Sequence, residues 1–224
     1  AAGNSGTSTI WSFTYDTTAP TVTSVSSTTA DGSYKAGATI NVTVNFSEVV
    51  TVTGTPTISL DSGGTASYSS GSGTNSLVFN YVVQAGENSN DLNYAATNSL
   101  SGTIKDAASN AANLTLPATN SASSLGGSKA IIIDTTAPTV SLISPANNTK
   151  VNTGLLSWNP ATESVGLASS PYVVKVSQNP DMSSPDITSS AQSGTTYTAL
   201  SLVSGTTYYW QVTVTDLAGN SGTS

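Results

Sequence analysis

Cysteine, histidine and arginine are all absent from this 224-residue chain. Without cysteine there are no disulfides, no thiolate metal ligands and no thiol nucleophile. Without histidine, zinc and most transition-metal sites are excluded, and serine, though abundant, lacks its usual activating base. Hard cations ligated by oxygen, such as calcium, are the metal partners that remain. Charge is also scarce: five lysines face twelve acids, for a net charge of −7. That balance excludes nucleic acid as a partner and disfavours anionic membranes. No apolar run approaches the ~20 residues of a membrane-spanning helix. No secretory leader pattern is present in this stretch, which begins inside a repeated phrase and so says nothing about export.

What is present is repetition. Ala2-Gly3-Asn4-Ser5-Gly6-Thr7-Ser8 recurs unchanged as Ala218–Ser224, 216 positions later, and the phrase starting at Asp16 (Asp-Thr-Thr-Ala-Pro-Thr-Val) recurs at Asp134, at an offset of 118. One period therefore holds two modules, as in a tandem array whose function is length, spacing or multivalency. Apolar residues make up 37% of the chain, enough for each module to bury its own core. The boundaries expected are 1–16 for the last strand of a preceding module, 17–134 for the first sandwich and 135–224 for the second.

Period-two alternation between Gly, Asn, Asp and Ser clusters predicts an all-β fold of two β-sandwiches. In the first, Ile40, Val42, Val44 and Phe46 share one strand face, and Leu77, Phe79, Tyr81 and Val83 another. Shorter strands are expected at Val22–Val25, Val49–Thr53, Thr57–Leu60, Ala66–Ser69, Ser101–Lys105 and Ala130–Asp134. In the second, strands are expected at Thr139–Ile143, Leu155–Trp158, Tyr172–Gln178, Thr195–Ala199 and Thr207–Thr215. A closing strand after Asp216–Asn220 is missing from this count. The repeat offset points to Ile10, Trp11, Phe13 and Tyr15 as its counterpart, so residues 1–16 read as the last strand of a preceding copy. Two arrangements are open: strand exchange, in which this segment fills the gap of another molecule and builds head-to-tail filaments, or a segment lying loosely against the first sandwich.

The phrases themselves carry a resemblance. Asp-Thr-Thr-Ala-Pro at module starts, with Asp-x-Ala-Gly-Asn at Asp216–Asn220, resembles the immunoglobulin-like repeats of giant bacterial surface adhesins and other large secreted proteins. Asn45-Phe46-Ser47-Glu48-Val49, Gly54-Thr55-Pro56 and Thr103–Asn110 look like their long Ig-like repeat. Leu156-Ser157-Trp158 and Gly205–Val212 are similar to fibronectin type III domains. The resemblance implies a secreted or cell-surface stalk that carries a binding domain outward, with neighbouring repeats of the same chain as its contacts. Two other functions stay open: a filament subunit joined through residues 9–15, and an accessory module of a secreted polysaccharide-active enzyme. One departure is Ser109, where the turn phrase usually has Gly, so that a different backbone conformation is expected there.

The repeated carboxylates are the sharpest candidates. Asp16 and Asp134 stand at module boundaries, Asp106 and Asp216 open turn phrases, and boundary and turn would meet where modules abut, offering oxygens to calcium. The alternative is structural, since Asp closes turns by bonding its own backbone. Glu48 and Asp31 are weaker additions. Trp158 and Trp210 are expected in a core rather than on a sugar platform, with Trp11 joining them once its strand docks. Asp181 and Asp186 read as turn residues, not a glycosidase pair, and no catalytic residue is assigned. Lys35, Lys105 and Lys175 are the candidates for a Lys–Asn isopeptide staple.

Overall fold

The computed structural model describes residues 2–224, so the expected 1–16 strand opens one residue outside it. The first sandwich comprises β1 (Val22–Ser26), β2 (Gly32–Tyr34), β3 (Thr39–Ser59), β4 (Thr65–Ser70), β5 (Thr74–Val82), β6 (Leu100–Lys105), the helical turn α1 (Leu125–Ser128) and β7 (Ile131–Ile133). Alternation explains its centre. Ile40, Val42 and Val44 of β3 lie antiparallel to Tyr81, Phe79 and Leu77 of β5, and these six side chains are buried. Val25 of β1, Ile58, Leu92, Tyr94, Leu125 and Ile131 complete one continuous core.

Three strands expected between Ile40 and Leu60 are one strand of 21 residues. Register shifts between Asn45 and Val50 against β5, and between Thr53 and Thr57 against β6, let it bend and change partners without breaking the ladder. Strand β2 falls where a turn was expected at Asp31-Gly32. Its partner is β7, in parallel, with Gly32 opposite Ile131, and a pairing so distant in sequence leaves no local signal. Turn α1 is capped by Ser124, whose Oγ accepts from the Gly127 N–H at 3.0 Å.

The second sandwich has one sheet ordered β11 (Ile187–Thr188), β10 (Leu167–Ser177), β13 (Tyr209–Asp216), β14 (Ser221–Thr223), and another ordered β12 (Thr196–Thr198), β9 (Leu155–Trp158), β8 (Leu142–Ser144). Between them lie Leu156, Trp158, Tyr172, Val174, Val176, Val212 and Val214. Trp158 packs edge-on against Tyr172 with ring centroids 5.6 Å apart, and Trp210 packs against the same cluster, so both tryptophans serve the interior. Tyr208 also packs inward, whereas Tyr209 is exposed.

The end of this sandwich differs from expectation. Ser221–Thr223 does form a strand on β13, with Thr213 opposite Thr223 and Thr215 opposite Ser221. Residues 2–20 carry no strand among the described residues, and Ile10, Trp11, Phe13 and Tyr15 are 83–99% exposed. Trp11 is therefore not a core tryptophan in this chain. No helix among the described residues is long and apolar enough to cross a membrane.

Candidate functional site

Each sandwich is entered through an aspartate, and each entrance is built the same way. Asp16 precedes β1 and Asp134 follows β7, both within Asp-Thr-Thr-Ala-Pro. The side chain closes a local turn: Asp16 Oδ1 accepts from the Thr18 N–H at 2.9 Å, and Asp134 Oδ1 from the Thr136 N–H at 3.0 Å. The main-chain carbonyl is held by an asparagine of the sandwich being entered. Asn110 Nδ2 donates to the Asp16 carbonyl at 3.2 Å, and Asn220 Nδ2 to that of Asp134 at 3.0 Å.

Those asparagines are set by the turn-opening aspartates. Asp106 Oδ1 accepts from the Asn110 N–H at 2.8 Å and its Oδ2 from Asn110 Nδ2 at 2.7 Å; Asp216 repeats both bonds with Asn220, at 2.9 and 2.8 Å. The turn phrase is thus a clamp whose aspartate orients an asparagine onto the incoming linker. Ser109 has φ +75°, close to the +87° of Gly219 at the equivalent step, so the two turns share one conformation despite the missing glycine. The closing hydrogen bonds hold Ser109 in a left-handed conformation that L side chains disfavour.

A glutamate completes each cluster. Carboxylate oxygens of Asp16, Glu48 and Asp106 lie within 4.8 Å of one another, as do those of Asp134, Glu163 and Asp216. The structure thus divides the four sequence-predicted aspartates into two sites and brings Glu48 into the first. Glu163 escaped sequence reading. Its signal was positional, because Glu163 follows Asp134 at nearly the interval by which Glu48 follows Asp16. Asp31 lies elsewhere, paired with Lys129 at 3.0 Å, which with the Ala130 N–H holds its carboxyl below the usual range.

The second cluster is the more enclosed. Asp134 and Asp216 are buried, and among the described residues Asp134 Oδ2 has no hydrogen-bond partner. Burial first, then the charges of Asp216 and Glu163, pushes the Asp134 carboxyl above its ordinary value, against the pull of the Thr136 N–H. In the first cluster, burial and the charges of Asp16 and Asp106 likewise push Glu48 up. For Asp106, burial works upward but is outweighed by the hydrogen bonds from Asn110 and the turn, so its carboxyl stays low. Three like-charged carboxylates at this spacing repel, whereas a divalent cation among them would reverse the sign. The donor set of hard oxygens, including one buried and unshared, fits calcium.

The linker between the sandwiches is also tied to the first. The Asp134 N–H donates to the Tyr34 carbonyl at 2.9 Å and the Thr135 N–H to Asn88 Oδ1 at 2.9 Å, while Lys35 Nζ of the first sandwich donates to the Gly219 carbonyl in the turn phrase of the second at 2.8 Å. That places Lys35, an isopeptide candidate, on a main-chain carbonyl. Asp181 closes a local turn, its Oδ1 accepting from Ser183, whereas Asp186 Oδ2 accepts from the Gln178 N–H across the loop between β10 and β11.

Fold and geometry define an all-β protein of two β-sandwiches with an acidic clamp at each entrance. Residues 135–224 match the model of the Rha78A-like, N-terminal immunoglobulin domain family. No curated protein matches the chain.

Proposed function

We propose that this chain is a structural spacer, a two-sandwich unit of an extracellular bacterial adhesin-type stalk whose boundaries are stiffened by calcium. The observation that carries this reading is the duplicated entrance: two sandwiches with different interiors share one linker phrase, one Asp–Asn clamp and one three-carboxylate cluster. A device repeated at every boundary regulates the angle between modules. It needs no substrate, and its output is reach. The cation would sit among Asp134, Glu163 and Asp216, and among Asp16, Glu48 and Asp106, neutralising each cluster and cross-linking linker to sandwich. The sparse, acidic Ser/Thr/Asn-rich surface suits a soluble array.

The test is geometric. Proteins of one, two and three tandem copies of residues 17–224, with residues 9–16 as the connecting strand, are measured by small-angle scattering in calcium and in chelator. The stalk reading expects the maximum dimension to rise in proportion to copy number, with a narrower distribution in calcium. Compaction to a globule with added copies would overturn it. The second reading, an accessory module of a secreted polysaccharide-active enzyme, draws support from the family description of residues 135–224 as an N-terminal domain. It expects a catalytic domain in the same reading frame, where the stalk expects further copies.

A further inference from the structure

Two consecutive residues where β2 ends, Tyr34 and Lys35, hold two of the three segments from which the second carboxylate cluster is built. Strand β2 runs parallel to β7, with Tyr34 opposite Ile133, so both strands leave the first sandwich at the same end. There β7 leads into Asp134, whose N–H donates to the Tyr34 carbonyl at 2.9 Å. One residue on, Lys35 Nζ donates to the Gly219 carbonyl at 2.8 Å. Among the described residues this is the one hydrogen bond that passes from the body of one sandwich to the body of the other rather than to the linker. The aliphatic stem of Lys35 runs beside the same turn, its Cε 3.9 Å from where a Cβ on Gly219 would stand.

Gly219 belongs to the turn that presents Asp216. Its N–H donates to the Asp216 carbonyl at 3.3 Å, the Asp216 N–H donates to the Asn220 carbonyl at 3.1 Å, and the Asp216 carboxylate accepts twice from Asn220. A displaced Gly219 carbonyl rotates this turn and carries Asp216 away from Asp134 and Glu163. The cluster itself points to a ligand: Asp134 is 1% exposed, and its Oδ2 has no hydrogen-bond partner among the described residues. Carboxylates that must converge on one ion bind it more tightly when neighbouring hydrogen bonds fix them beforehand. Lys35 forms no ion pair among the described residues, so its part at this turn is to hold a carbonyl rather than to neutralise an acid.

We propose that Lys35 is a positioning residue for a divalent cation at Asp134, Glu163 and Asp216, so that filling this site and fastening the first sandwich to the second are one equilibrium. The inference rests on the calcium reading given above. By linkage, an ion that fixes Asp216 strengthens the hold of Lys35 on Gly219, and that hold raises the affinity for the ion by the same factor. Two effects of the lysine oppose each other. As a bare positive charge it repels a cation, and its removal would tighten binding; as a positioning group it orders the ligands, and its removal weakens binding. The sign of the change separates the two roles.

The test is calcium titration calorimetry on the whole chain, comparing the parent with Lys35→Met, Lys35→Arg, Asp134→Asn and the Lys35→Met/Asp134→Asn double variant. Asp134→Asn identifies the signal of the second cluster. Lys35→Met keeps the stem without the donor and is expected to weaken that site about tenfold, with Lys35→Arg restoring most of the loss. In the Asp134→Asn background, Lys35→Met is expected to change nothing. Because the chain has no cysteine, spin labels at Thr55→Cys and Ser190→Cys, both exposed positions, report the separation of the sandwiches. Calcium is expected to narrow that distance distribution in the parent and in Lys35→Arg but not in Lys35→Met. Equal or tighter calcium binding by Lys35→Met, or equal narrowing, would overturn the inference and leave the calcium reading standing. Weakening that persists in the Asp134→Asn background would mean a general structural loss and would also overturn it. A parent with no binding that depends on Asp134 would overturn both.

Discussion

Replacing Asp134 with Asn should change the sign of its effect on stability according to whether calcium is present. In chelator, the Asp134 carboxylate is buried within 4.8 Å of carboxylate oxygens from Glu163 and Asp216. Two unit charges at that separation repel by about 3 kcal/mol at an effective dielectric near 20. Solvent at the half-exposed Glu163 trims this, so the net relief from neutralising Asp134 is on the order of 1–2 kcal/mol. Asparagine keeps an acceptor for the Thr136 N–H and replaces the unshared Oδ2 with a donor facing two carboxylates. Asp134→Asn should therefore raise the melting temperature of the second sandwich in chelator by about 4–8 °C per kcal/mol, given its size.

In calcium the order reverses. Binding to the folded state alone adds about 2.7 kcal/mol at one hundred times the dissociation constant, and the variant forfeits most of it with the lost carboxylate. The assay is differential scanning calorimetry of parent and variant, each in millimolar calcium and in chelator. Crossing of the two orders supports the site. A parent whose melt ignores calcium, or a variant equally destabilised in both conditions, would refute the reasoning. The pH dependence adds a check of sign. Because the folded Asp134 carboxyl lies above its ordinary value, the folded state holds the proton more tightly, so in chelator this group's contribution to stability increases as pH falls through the raised value and levels off below about 3.8. Asp181, held low by hydrogen bonds from Ser183, contributes with the opposite sign as pH falls through its depressed value. Asp134→Asn should remove the first contribution and leave the second.

The same geometry sets three further outcomes. Ser109→Gly should stabilise the first sandwich by about 0.5–1 kcal/mol in denaturant melts, since relief of a left-handed serine outweighs the added freedom of the unfolded chain; a loss of stability would mean that the turn is not strained. Gly222→Ala should loosen β14 and speed exchange at the Ser224 amide, because a Cβ there would collide with the Pro138 carbonyl; unchanged exchange would count against that close approach. Trp158→Ala should cost the second sandwich about 3–5 kcal/mol while the first sandwich's calorimetric transition holds its place, and a joint collapse would show that the two cores are energetically coupled.

Much of the architecture was legible because burial on one strand face writes itself as alternation. Ile40 through Phe46, Leu77 through Val83 and Tyr208 through Val214 show it plainly, and Leu155–Trp158 matches to the residue. Other features were illegible for physical reasons. The run from Thr39 to Ser59 bends through bulges, which break the alternation locally while the ladder continues. Strand β2 is half-exposed, and its parallel partner lies across most of the first sandwich in sequence, so only tertiary contact defines it. The strand at Ser221–Thr223 is too short and polar to display a period at all.

The entrance sites were half legible for a related reason. Repetition exposed Asp16 and Asp134 as a pair, and the turn phrase exposed Asp106 and Asp216, but no rule of spacing said which would meet. The fold settles that by returning β6 and β13 to the end where each linker arrives, so that Asn110 and Asn220 reach a carbonyl 94 and 86 residues earlier in the chain. Glu48 and Glu163 join from a third part of each sandwich with no shared phrase around them. Sequence similarity overlooks Glu163, and position relative to the entry aspartate only comes near it, since Glu48 follows Asp16 by 32 residues and Glu163 follows Asp134 by 29. That asymmetry bears on the mechanism. The linker, the clamp and the charge at each entrance recur while the strands between them differ, so the duplicated property is the way each sandwich grips the segment that enters it.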